Sequence, residues 1–160
     1  MMNDKVLVTN MVNHSVGISL PQNGYMVKKA WPKRGAKVLI DKEALREGIY
    51  DPGIEYMFKN GILYIEDMEF KIELGLEEPE TKTPTNIIPM DEKYLERVMK
   101  RMPIAEMKQA IKKMSQDQVQ ELVLYASSQN DIQLDRISAI KELTGTDLFK
   151  VIELKRQMEE

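Results

Sequence analysis

The chain has 160 residues, of which 42% are hydrophobic and 31% charged, and its formal net charge is −3. This composition excludes a chain that is disordered or fibrous throughout. The absence of cysteine excludes disulfides, cysteine-ligated zinc or iron–sulfur centres and a cysteine nucleophile. The sequence contains neither a run of about 18 apolar residues nor a basic stretch followed by an apolar one at its N-terminus. We therefore expect a soluble, unprocessed protein.

Residues 1–76 predict a small antiparallel β-rich module, in which four or five strands form one small sheet and short helices accompany it. Asn23-Gly24 predicts a tight hairpin turn, because both residues tolerate the positive φ that such turns require. Asp41 is predicted to cap a short helix that ends at Gly48, and Asp67 is predicted to begin another that stops before Gly75. Short apolar runs bounded by turn residues predict the strands, at residues 6–8, 16–20, 25–31, 37–40 and 62–65.

Residues 77–90 are predicted to be a linker, because residues 77–86 are polar, contain two prolines and lack large apolar side chains. The apolar period changes across this segment, from about two residues before it to about 3.6 after it. The simplest explanation is two modules of different class. We expect an α+β protein in which the β-rich module is followed by a helical one.

Residues 91–160 predict a bundle of five short amphipathic helices. Ser115 and Gln118 have the spacing of a capping box, and Gly145 is placed to end a helix. Four methionines in this module favour core filling, although flexible thioethers also suit a docking face; they are Met99, Met102, Met107 and Met114. The five helices are predicted to begin at Asp91, Pro103, Ser115, Asp131 and Thr146.

No residue pattern in the sequence predicts catalysis, a metal site or a cofactor. The only histidine, His14, lies in a polar turn, where an ordinary turn role is favoured over acid–base chemistry. The acidic residues are scattered along helix starts and opposite basic residues, as on solvated helical faces. Phosphate-binding glycine loops and zinc-hydrolase motifs are absent from the sequence. We therefore predict that the chain is not an enzyme, with no catalytic, cofactor-binding or metal-ligating residue.

The main charge asymmetry lies in residues 5–40, which contain six lysine and arginine residues and no acidic residue. The segment 28–37 is predicted to form a basic hairpin next to the only tryptophan. Three interpretations remain open: an edge hairpin that its lysines keep soluble, a contact for an acidic protein surface, and a ribbon that neutralises phosphates while the indole stacks on a base. The candidate partner-binding residues are Lys28, Lys29, Trp31, Lys33, Arg34 and Lys37.

The order of these signals resembles small, mostly uncharacterised proteins of tailed bacteriophages. The resemblance covers nearly the whole chain. In this sequence Ile54 follows Pro52-Gly53, where the family pattern often has a second glycine. The segments that carry the resemblance are Asn10, residues 16–21, the basic segment, residues 38–45, Pro52-Gly53, residues 63–65 and residues 135–147.

The resemblance implies a β-rich module joined to a helical one in a virion or assembly component, and it supplies no catalytic residue. We expect a non-enzymatic virion structural or interaction protein, such as a capsid-binding auxiliary or decoration protein, assembled in the host bacterial cytoplasm. Its expected partner is the major capsid protein or another virion protein, without membrane contact and with an oligomeric state set by the assembly. The alternative is a nucleic-acid-binding or regulatory module that uses the basic hairpin 28–37.

Overall fold

A computed structural model describes residues 4–82 and 88–159. The chain divides into two compact units, Met1–Pro89 and Met90–Glu160. An antiparallel sheet arrangement in unit 1 precedes the helices of unit 2, which confirms the predicted α+β class. The predicted linker 77–90 includes residues 83–87, which lie outside the described residues. The first residue of this segment, Glu77, is buried within unit 1, and its last residue, Met90, is buried in unit 2.

Unit 1 contains five strands, but they form two sheets instead of the single sheet that the sequence suggested. The central strand β1 pairs antiparallel with both β4 and β5, and β2 pairs antiparallel with β3. Three short helices complete the unit. The strands are β1 Lys5–Asn10, β2 Val16–Gln22, β3 Tyr25–Trp31, β4 Lys37–Asp41 and β5 Leu63–Ile65. The helices are α1 Lys42–Gly48, α2 Pro52–Lys59 and α3 Met68–Glu73.

Aspartate side chains begin all three helices by accepting hydrogen bonds from amides of the first turn. Asp41 caps α1, accepting from the amide of Glu43 at 2.9 Å, and Asp67 caps α3, as predicted. Helix α2 begins at Pro52, because Asp51 caps it and proline is tolerated in a first turn. The core beneath these elements includes Trp31, Phe70, Leu20 and Ile40.

All the regular secondary structure that is described in unit 2 is helical. Three of the four methionines, Met99, Met102 and Met107, are buried in its core, as predicted, and Met114 packs at the edge. The capping box of Ser115 and Gln118 is present. The elements are α4 Glu92–Glu96, a π-helical turn Arg97–Arg101, α5 Ile104–Lys113, α6 Gln116–Ser127, α7 Leu134–Thr144 and α8 Leu148–Glu159.

Two predicted helix starts in unit 2 are wrong. Helix α7 begins at Leu134, because the Asp131 carboxylate instead forms an ion pair with Lys100 at 3.0 Å. Helix α8 begins at Leu148, and the residue before it is Asp147, whose Oδ1 accepts a hydrogen bond from the Lys150 amide at 3.4 Å. The predicted cap Thr146 lies one residue too early.

The π-helical turn coincides with a buried arginine from another helix. The amide of Met102 donates to the carbonyl of Arg97, five residues earlier, as in π-helical hydrogen bonding. The carbonyl of Val98 accepts from Nη1 of Arg136 at 3.0 Å. Arg136 is only 6% exposed, and its Nε has no hydrogen-bond partner among the described atoms. This contact ties α7 to the irregular turn after α4.

Candidate functional site

The predicted basic hairpin 28–37 does not exist as a hairpin, because its two arms belong to different sheets. Strand β3 pairs with β2, and β4 pairs with β1. The segment between them is a connection fastened to the end of β1, where the Gly35 amide donates to the Asn10 carbonyl at 2.8 Å. Asn10 is fully buried, and its side-chain amide donates to the His14 carbonyl at 2.9 Å. Asn10 thus holds the loop that contains Gly35 through its backbone and the loop that contains His14 through its side chain.

Trp31 is a core residue and therefore cannot contact a partner directly, which corrects its assignment as a partner-binding or base-stacking residue. Its side chain is 0% exposed, and its indole N–H donates to the carbonyl of Val8 at 2.9 Å. The reason is strand alternation. The register pairs Val16 with Trp31 and Ile18 with Lys29, and the buried Val16 and Ile18 define the inner face of the β2–β3 hairpin.

The five candidate cations are spread over different surfaces. Lys28 is exposed on the outer face of β3, and Lys29 is half-buried on the opposite face. Lys33 is exposed on the connection, whereas the half-buried Arg34 donates through Nε to the Met11 carbonyl at 3.3 Å. Lys37 forms an ion pair with Glu66 at 3.4 Å. The structure does not assemble these side chains into one basic ribbon.

The tip of the β2–β3 hairpin exposes two large apolar side chains that the sequence reasoning passed over. Asn23 and Gly24 form the turn with φ of 52° and 81°, the left-handed values of a two-residue hairpin turn. Immediately after it, Tyr25 is 77% exposed and Met26 is 65% exposed. The available signal was the position of two bulky apolar residues directly beside a turn.

The outer hairpin face is defined by the exposed or half-buried residues of alternate positions on both strands. Small side chains occupy much of it, at Gly17, Ser19 and Ala30. The cross-strand pairs are Gly17 with Ala30, Ser19 with Lys28 and Pro21 with Met26. This face offers the apolar side chain of Met26 and the cation of Lys28 on a two-stranded support. Tyr25, which pairs with Gln22, alternates to the opposite face and is exposed at the tip of the hairpin beside Met26.

Unit 1 also contains a buried cluster of polar side chains, Tyr64, Lys71 and Glu77, which the sequence did not predict. The Lys71 ammonium donates to the Tyr64 hydroxyl at 2.8 Å and lies 4.3 Å from the centroid of the tyrosine ring. Burial lowers the pKa of Lys71, although the negative charge of nearby Glu77 opposes that effect. Burial, and then the charges of Glu77 and Glu66, raise the pKa of Tyr64 to about 12. These three side chains, Lys71, Tyr64 and Glu77, line a cavity of about 240 Å³ together with Phe58 and Leu63.

This buried cluster holds Glu77, the first residue of the predicted linker, in the packed part of unit 1. Lys71 is 4% exposed and Glu77 is also 4% exposed. Burial of a lone ammonium or carboxylate is unfavourable unless an opposite charge or hydrogen bonds compensate it. The electrostatic attraction between the two groups therefore holds the chain at Glu77 against the α3–β5 region.

Within residues 4–82 and 88–159, no group of three or more histidine or acidic side chains is arranged to hold a metal ion. In the same ranges, no helix combines the length and apolar composition needed to cross a bilayer. Comparison of the chain with known proteins finds no matching family model, no matching curated protein and no matching solved structure.

Proposed function

We propose that this chain is a non-enzymatic docking component of a tailed-bacteriophage particle, bound to the major capsid protein or another virion protein through the β2–β3 hairpin. The phage assignment rests on the resemblance described under Sequence analysis. The observation that supports docking by this element is the exposure of Tyr25 and Met26, at 77% and 65%, beside the exposed cation Lys28.

The composition of the hairpin tip is that of an interface centre. Aromatic side chains and methionine are enriched in interfaces and contribute much of their binding energy, whereas isolated lysines are depleted from interface centres. Tyr25 and Met26 are therefore the anchors in this proposal, and Lys28 is a peripheral contact. A cation at the edge favours an acidic partner surface and raises the association rate more than the affinity.

The hairpin is held in place before it binds. Its inner face buries Val16, Ile18 and Leu20, and Trp31 ties the end of β3 to β1 through the indole hydrogen bond. A surface with a fixed backbone loses little conformational entropy on docking, so modest contacts suffice. On a symmetric shell, repetition of one weak contact at many positions supplies avidity.

The test is quantitative mass spectrometry of gradient-purified particles, reporting copies of this chain per copy of the major capsid protein. A simple fixed ratio supports a symmetric capsid component, and absence from particles contradicts the proposal. The informative variant is Tyr25→Ser with Met26→Ser, which should reduce occupancy at least tenfold. Tyr50→Ser is the matched control, because Tyr50 is 86% exposed elsewhere on unit 1 and should leave occupancy unchanged. An equal loss of particle occupancy in the Tyr25/Met26 variant and in the Tyr50 variant would show that the hairpin is not the docking surface.

The nucleic-acid alternative makes a different prediction. If the cations bind phosphates, affinity for a single-stranded oligonucleotide should fall steeply with salt, and Lys28→Gln with Lys33→Gln should weaken it. The internal contacts of Arg34 and Lys37 leave fewer cations for this role. Absence from particles combined with salt-sensitive oligonucleotide binding would replace the virion proposal by this one.

A further inference from the structure

Unit 2 contains an apolar groove that lies between the end of α5, one face of α6 and the end of α7. Its volume is about 750 Å³, within the range of roughly 300–1,000 Å³ that is typical of ligand sites. We call it the α6 groove. Its apolar surface is formed by Ile111, Met114, Val119, Val123, Leu124 and Leu143.

The groove is an open surface feature with an apolar floor. Ile111 is buried, Met114, Val119, Val123 and Leu143 are half-buried, and Leu124 at the rim is 45% exposed. Exposed Gln116 and Gln120 of α6 border it. Contiguous exposed apolar surface with a polar rim is typical of an interaction site. Met114 adds a flexible thioether that adapts to the shape of a bound side chain.

The length of the groove matches a short helix. It follows α6 from Gln116 to Leu124, a distance of about 12 Å at 1.5 Å per residue. Two turns of a second helix cover this distance and present apolar side chains at i, i+3 or i+4, and i+7. Helix-in-groove recognition uses this spacing of anchors.

One end of the groove is basic. Lys112 lines the groove, Lys113 is its neighbour, and both are exposed. Among the described residues, neither lysine takes part in an ion pair, whereas Lys108 on the same helix pairs with Glu142 at 3.2 Å. A bound segment with a carboxylate at this end would complement the two charges.

We propose that the α6 groove binds an amphipathic helix of a partner protein, with apolar anchors spaced over two turns and an acidic residue at the Lys112–Lys113 end. A second copy of this chain could offer α8, where Leu154 and Met158 are 59% and 85% exposed. However, Lys150, one helical turn before Leu154, is also exposed and would bring like charge toward Lys112. The charges therefore favour an acidic partner over self-association. This second docking surface is independent of the hairpin, and either can fail without the other.

The test is an NMR titration of the full chain with two synthetic helical peptides of about 16 residues. Both carry leucines at i, i+3 and i+7; one has glutamates at both ends, and the other has lysines there. The acidic peptide should shift amide signals of α6 between Val119 and Leu124, and that of Leu143. Lys112→Glu with Lys113→Glu should weaken the acidic peptide about tenfold and strengthen the basic one. The control is Lys5→Glu with Lys93→Glu, which makes the same charge change at exposed sites outside the groove and should alter neither affinity.

Three results would overturn the proposal. The first is the absence of groove shifts with either peptide at millimolar concentration. The second is concentration-dependent broadening of groove signals in the chain alone, which would assign the groove to a second copy. The third is saturation by dodecanoate without peptide binding, which would assign it to a small apolar ligand. Leu124→Glu, a change at a partly exposed rim position, should abolish acidic-peptide binding while leaving the far-UV circular dichroism spectrum unchanged.

Discussion

Replacement of Trp31 by phenylalanine should destabilise unit 1 without altering the proposed docking surface. The indole is completely buried, and its N–H donates to the Val8 carbonyl at 2.9 Å. Loss of one such hydrogen bond costs about 1 kcal/mol. The smaller ring buries about 50 Å² less apolar area, which adds about 1 kcal/mol at roughly 25 cal/mol per Å². We therefore expect Trp31→Phe to lower the free energy of unfolding by about 2 kcal/mol, and Trp31→Ala to lower it by about 3–5 kcal/mol.

The assay is urea denaturation followed by far-UV circular dichroism, together with differential scanning calorimetry. Tryptophan fluorescence serves only for the wild type, because Trp31 is the single tryptophan; its emission should shift to longer wavelength on unfolding. For a unit of about 80 residues, 2 kcal/mol corresponds to a drop of roughly 8–16 °C in the midpoint of its transition. Tyr25→Ser, on the same strand but 77% exposed, should change stability by less than about 0.5 kcal/mol.

A Trp31→Phe variant within about 0.5 kcal/mol of the wild type would refute the assignment of Trp31 to the core. The pair of variants also separates stability from docking. Tyr25→Ser should impair particle association in a stable protein, whereas folded Trp31→Phe should associate normally. The opposite pattern would restore Trp31 as a partner contact.

Three further substitutions test other features of the fold. Gly48→Ala should cost about 1–3 kcal/mol by overpacking, because the added Cβ would lie 2.3 Å from Cδ2 of Leu20; thermal unfolding measures it, and no loss would contradict the packing. Ser115→Ala should cost about 1 kcal/mol through loss of the capping box, measured by urea denaturation. The raised pKa of Tyr64, about 12, means that the folded state retains a proton that the unfolded state loses above pH 10. Stability should therefore fall by about 2–3 kcal/mol between about pH 10 and 12, and Tyr64→Phe should remove that part of the fall.

Local chemistry made much of the secondary structure predictable. Each of the correct local predictions depends on contacts within four residues, so the sequence of that short segment is sufficient to predict it. They are the aspartate caps of α1 and α3, the capping box of α6 and the Asn-Gly turn. Gly145 ends α7 with a φ of 79°, also as predicted. Asp131 misled the prediction of α7, because a distant cation, Lys100, competes for its carboxylate.

Strand pairing was not predictable in the same way. The pattern of residues 37–40 indicates a strand but carries no information about which strand lies beside it. The short connection after Trp31 favoured a hairpin with β3, whereas the structure pairs β4 with β1, more than 25 positions away in sequence. Such non-local pairing depends on how the whole core packs.

The burial of Trp31, by contrast, could have been derived from the sequence. A two-residue turn at Asn23-Gly24 pairs Gln22 with Tyr25 and, continuing along both strands, Val16 with Trp31. The apolar alternation of Val16, Ile18 and Leu20 marks the inner face, so Trp31 belongs to it. The local density of lysines obscured this register argument. The same argument leaves Met26 and Lys28 on the outside, where the proposed docking surface lies.

The π-helical turn at Arg97–Arg101 gives unit 2 an unusual response to changes in chain length. A π turn closes its hydrogen bond over five residues where an α turn closes it over four, so this segment is equivalent to a single-residue insertion accommodated within a helix. Deletion of one residue is ordinarily among the most damaging changes to a helix, but deletion of Lys100 would here allow regular α-helical hydrogen bonding. A backbone amide of the regular helix would then compete with Arg136 for the Val98 carbonyl. The buried guanidinium of Arg136 would be left with fewer hydrogen-bond acceptors. The irregular turn and the buried arginine are therefore expected to be gained or lost together.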